Sequence, residues 1–203
     1  MAVSRTLIIN LALQSIAAHT IADPDDDTAR ARQAKFCYDQ VIRREIETHP
    51  WHFAKKQATL PAIADVPTFK FARAFNLPSD FLRLVELEDK WVFSMLRNID
   101  TNPTPVYEMQ GRAILTDFDA PLNIGYLADK TDDPSTWPPS FVQVAAMALA
   151  VRLAYPLTKS DGAVKMAKEG YAEALTSARK NNAIQMAPAN IADGSWMAAR
   201  GLV

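Results

Sequence analysis

The chain predicts an α+β protein: a helical bundle of about four helices, interrupted by an inserted antiparallel β domain and followed by an extended C-terminal tail. Three observations carry that expectation. Segments on both sides of the middle place apolar residues at helical spacing. Between them, from Gln57 to Trp137, short apolar or alternating runs are separated by prolines and other turn formers. The last residues carry large apolar side chains with no period at all. The expected boundaries are 1–56 and 137–182 for the two parts of the helical core, 57–136 for the β domain and 183–203 for the tail.

A first helix is expected over residues 5–18, with Ile9, Leu13 and Ile16 on one face. Arg5 followed by Leu7–Leu13 loosely mimics a signal peptide, but Asn10, Gln14 and His19 interrupt it, which favours a short amphipathic helix. The acidic run Asp25-Asp26-Asp27 lacks the glycine and distal glutamate of a calcium loop. Asp26 or Asp27 is instead expected to cap a second helix from Thr28 to His49, with Ala31, Ala34, Tyr38 and Val41 inward. Pro50 cannot continue that helix, and Trp51 and Phe53 then pin its exit into a core.

The β domain is read as five or six short strands. One covers Phe69–Phe75; Phe81–Leu87 and Trp91–Leu96 pair across Glu88-Asp89-Lys90; a tight hairpin turns at Gln110-Gly111; and Leu122–Leu127 closes the unit. Phe141–Tyr155 is apolar almost all round, which predicts the buried centre of the helical core, ended by Pro156. No run approaches the roughly 18 apolar residues of a membrane span. A fourth helix starts at Ser160-Asp161, with Ala163, Ala167, Tyr171, Ala174 and Ala178 near one face. Tyr38, Trp51, Phe53 and Tyr155 are the expected core anchors.

Composition narrows the function. Apolar content of 49% and charged content of 22% are ordinary for a globular chain. A formal net charge of −1 gives no basic excess of the kind that duplex-binding proteins show. The single cysteine, Cys37, excludes an internal disulfide. Six glycines are scattered, so no phosphate-cradling loop is present. His49 and His52, with Cys37 as a third ligand, invite a zinc reading, but Pro50 breaks the helix between the histidines. Asp132-Asp133 and Glu86–Glu88 fall in predicted loops or strand ends, where carboxylates are normally solvated. No catalytic residue, metal site or cofactor is expected.

Five segments then occur in one order: Asn10-Leu11-Ala12-Leu13 with Cys37-Tyr38-Asp39; His49-Pro50-Trp51-His52-Phe53-Ala54; Leu77–Arg83; Tyr107–Leu115; and Ala154-Tyr155-Pro156-Leu157-Thr158. Together they resemble the head-to-tail adaptor family of tailed bacteriophages, which includes the tail tubular protein A of short-tailed phages. The chain departs from that pattern at His52, often a small polar residue in the family, and in the tail.

The resemblance implies a structural protein of the virion, assembled in the host cytoplasm as a twelve-fold ring of identical subunits. The ring would sit beneath the portal protein, dock a tail nozzle or tail tube protein, and let DNA pass without gripping it. No membrane is involved. Ile191, Trp196, Met197 and Leu202 of the tail are the expected portal contacts, ordering on docking. The alternative is a binding module that holds a peptide or small ligand in the β domain, and a hydrolase ranks last.

Overall fold

A computed structural model of the chain describes residues 3–64, 67–88, 90–91 and 106–185. The four tail residues expected to meet a portal, and most of the expected strand Trp91–Leu96, lie outside the described residues. The protein is α+β, with four helices and two small antiparallel sheets among the described residues.

Helix α1 spans Arg5–Ser15, capped by the Ser4 hydroxyl, which accepts from Leu7 N. It stops three residues earlier than expected. Ala17 adopts φ 55°, and Ala18 N donates back to the Leu13 carbonyl at 2.9 Å, a turn that satisfies the last carbonyls in place of another helical turn. Helix α2 spans Ala29–Thr48, and its cap is Thr28, not Asp26 or Asp27. Asp26 is occupied one turn earlier, where its carboxylate accepts from Ala22 N and Asp23 N.

Helix α3 spans Pro139–Thr158 and runs through Pro156, which was expected to end it. Termination comes at Lys159, in the left-handed region with φ 53°. Proline's missing N–H falls near the end of the helix, where loss of one bond is tolerated. By length and composition α3 is apolar enough to cross a membrane, beyond what the sequence runs suggested. Its apolar surface is instead buried against α1, α2 and α4 (Asp161–Ile184). A Cβ on Gly170 of α4 would stand 2.2 Å from Met147 Cε of α3, so the absent side chain lets the two helices approach closely.

Among the described residues seven strands lie between the helical segments: β1 (Lys55–Leu60), β2 (Arg73–Asn76), β3 (Phe81–Leu87), β4 (Lys90–Trp91), β5 (Tyr107–Gln110), β6 (Ala113–Thr116) and β7 (Leu122–Ala128). They form two sheets, β1-β7-β3-β4 and β2-β6-β5, where one unit was expected. The mixed sequence Lys55-Lys56-Gln57-Ala58-Thr59-Leu60 hides β1, because an edge strand buries little. After Pro61 the same segment turns onto the second sheet, where Ala62 bridges Phe75 and Ile63 N donates to Ala74 O. Period-two alternation then stacks three layers. Val85 and Leu127 face the helices, while Leu84, Ile124 and Tyr126 face Phe75 and Ile114 of the second sheet.

Tyr155 is corrected outright: it is 54% exposed, with the Lys159 ammonium 5.7 Å from its ring. It lies one turn beyond the exposed Arg152, on the solvent-facing stripe of α3, while Leu153 and Ala154 between them are buried. Tyr38 and Trp51 are fully buried, and Phe53 packs half-buried against the helical core.

Candidate docking site at the exit of the second helix

The stretch His49–Ala54 is where α2, α4 and the first sheet meet. Helix α2 ends before Pro50, leaving its last carbonyls without intrahelical donors. Trp51 supplies one: its indole Nε1 donates to Glu45 O at 2.8 Å, and the Thr48 hydroxyl shares that oxygen at 3.1 Å. Arg83 of β3 reaches the Thr48 carbonyl at 3.3 Å. The indole is 1% exposed and stands edge-on to Phe141 of α3 at 5.0 Å and to His49 at 4.5 Å. Trp51 therefore closes the helix end and anchors the core with one side chain.

Beside it lies a buried carboxylate. Glu45 is 1% exposed, on the same stripe as Ala34, Tyr38 and Val41. The Arg44 guanidinium donates to its Oε1 at 2.8 Å and the Tyr171 hydroxyl of α4 to its Oε2 at 2.8 Å. Burial, reinforced by that carboxylate, pushes the Tyr171 phenol up to about 12. A buried charge needs such partners, and the pair ties α2 to α4.

Asn182, in the last turn of α4, completes the junction. Its carbonyl oxygen accepts from His52 N at 2.9 Å, and its amide nitrogen donates to Pro50 O at 3.2 Å and lies 3.2 Å from His49 Nε2. Burial, then the Arg179 and Arg83 guanidiniums, depress the His49 pKa to about 4, so the ring is neutral at neutral pH and free to accept. Asn182 thus clamps the backbone on both sides of Trp51, three residues before the described chain ends at Gln185. The tail segment carrying Ile191, Trp196, Met197 and Leu202 starts from this clamp.

The structure does not bring together the zinc set considered from sequence. His49 is committed to Asn182, Cys37 is buried in α2 beside Gln33, and among the described residues no three His, Cys, Asp or Glu side chains gather as for a metal ion. Glu86 and Glu88 have separate settings. Glu86 lies across Gly125, where an added Cβ would stand 3.0 Å from its side chain, and Glu88 accepts from Asn123 N at 2.6 Å. Sequence reasoning missed Glu45 and Asn182. Glu45 was detectable, four residues beyond Val41 on an otherwise apolar stripe. Asn182 gave no signal, because only the tertiary fold brings it to a partner 130 residues away in the chain. No protein-family model matches the chain, and no curated protein sequence does.

Proposed function

We propose that this chain is a structural head-to-tail adaptor of a tailed phage: a ring subunit beneath a portal protein that extends the DNA channel and docks the tail. One observation carries the reading. The segments that resemble that family hold the subunit's shape at its junctions. Asn10 exchanges two hydrogen bonds with the Ile21 backbone, Trp51 closes α2, and Asp80, at the start of β3, collects Lys56 from β1 and Tyr126 from β7. Arg112 of the hairpin turn donates to the Pro78 carbonyl. Side chains used this way serve a rigid building block. The near-neutral charge suits a channel through which DNA must slide, since a basic lining would hold phosphates.

Within this reading, the tail from Met186 onward is the portal-docking segment, with Trp196 as its anchor. Its root is fixed by the Asn182 clamp. Electron microscopy and light scattering of the full chain, alone and with its cognate portal ring, test the proposal. Rings seated on the portal are expected; a chain that stays monomeric beside it overturns the reading.

A second reading, a module holding a peptide or small ligand, is favoured by one feature. Adjoining clefts of about 320 and 420 Å³ share Gln57, Glu86 and Gly125 of the first sheet.

A further inference from the structure

The outer face of the second sheet carries a knob and a hole side by side. Phe69 is 82% exposed, the most exposed large apolar side chain among the described residues. It is held out by a strained turn: Phe71 N donates to Phe69 O at 2.9 Å, with Lys70 between them at φ 73°. An i→i+2 bond around a positive φ is the rare, costly form of the γ-turn, adopted here by a residue with a Cβ. Next to it, Ile63, Phe71, Ala74 and Leu115 form a small apolar cluster at the floor of a cleft of about 570 Å³. Across the rim, the Lys70 ammonium meets the Glu108 carboxylate of β5 at 2.8 Å.

We infer that this face binds the same face of a second copy of the chain, Phe69 of each entering the cleft of the other. A two-fold contact requires one patch to hold both halves of the fit. This patch does so in shape, with knob beside hole, and in charge, with Lys70 beside Glu108. Facing copies place each Lys70 against the other's Glu108, so the local ion pair becomes a ring of four alternating charges. One aromatic side chain in one small cleft on each copy makes a weak pair, with a Kd on the order of 100 μM. It is distinct from the head-to-tail contacts of a ring and does not depend on the adaptor reading.

Sedimentation equilibrium of the full chain tests it, without portal or other partner. Wild type should dimerise reversibly, and Phe69→Ser should weaken the dimer at least tenfold with its melting temperature unchanged. Lys70→Glu alone and Glu108→Lys alone should each be monomeric, since like charges then face each other. Mixing those two variants should restore a heterodimer, because one copy presents two carboxylates and the other two ammonium groups. A wild type that stays monomeric at millimolar concentration overturns the inference. So does a Phe69→Ser chain that dimerises normally, or a mixture of the charge variants that gains nothing.

Discussion

In the helical core a single element dominates: α3 contributes ten buried residues and touches each of the other three helices among the described residues. In the β domain no strand plays that part. The first sheet divides its apolar residues between two layers, and the second buries one face against the first while Phe71 and Ile63 cover part of the other. The difference teaches where this chain is rigid and where it has surface to offer. A helix buried on most of its sides leaves little for a partner. Two thin sheets leave an open edge strand, polar clefts over Gly125 and an exposed Phe69.

The largest expected effect breaks the comparison at its strongest point. Trp51→Ala removes the core's largest buried side chain together with the donor that closes α2, and should cost about 3–5 kcal/mol. That is a large share of a typical total of roughly 5–15 kcal/mol, so the whole subunit should melt far below wild type. Phe75→Ala in the inter-sheet core should cost about 3 kcal/mol at most sites of this kind, yet act locally. Hydrogen exchange should show amides of β2 and β6 opening while those of α3 stay protected. Equal loss of protection in both regions would mean that the two cores unfold as one.

A smaller effect concerns the junction between them. The folded His49 pKa, near 4, lies below its ordinary value near 6.5, so between those values the unfolded chain binds the extra proton. Stability is therefore full above about pH 6.5 and falls as the pH drops toward 4; His52, depressed by burial and Lys55, adds in the same direction. His49→Gln should flatten the dependence of melting temperature on pH across that window. Asn182→Ala, which strips three contacts from the same backbone, should lower stability by about 1–2 kcal/mol at neutral pH. An unchanged pH slope in the histidine variant would remove His49 from the account.

The smallest stability effect is expected at Tyr155. Tyr155→Ala should shift stability by no more than about 0.5 kcal/mol, because the ring stands in solvent beside Lys159. A loss of several kcal/mol would return Tyr155 to the core.

The helices were legible because their signals are local. Ser160 is an ordinary capping residue, Pro50 is an unambiguous stop, and α3 is apolar on nearly every side, whereas the cap of α2 is Thr28 and not the aspartates before it. The hairpin β5–β6 was legible from Gly111, whose φ of 57° suits the turn. What the sequence hid was decided by distant partners. Strand β1 looks like a loop until β7 pairs with it, and Pro61 does not reveal that one segment serves two sheets. Tyr155 has the composition of a core residue, and it lies outside because it shares the solvent-facing stripe of α3 with Arg152. At the junction Trp51 was found from its own chemistry, whereas Asn182 follows from the packing of α4 alone.

The central claim, a rigid subunit whose tail docks on a portal, is tested most directly by ending the chain after Gln185. The Asn182 clamp is retained in that variant, so its fold and melting temperature should match the full chain. Co-sedimentation with the cognate portal ring should then show the full chain bound and the shortened chain free. A shortened chain that binds as well as the full one contradicts the account, and so does a full chain that does not bind at all.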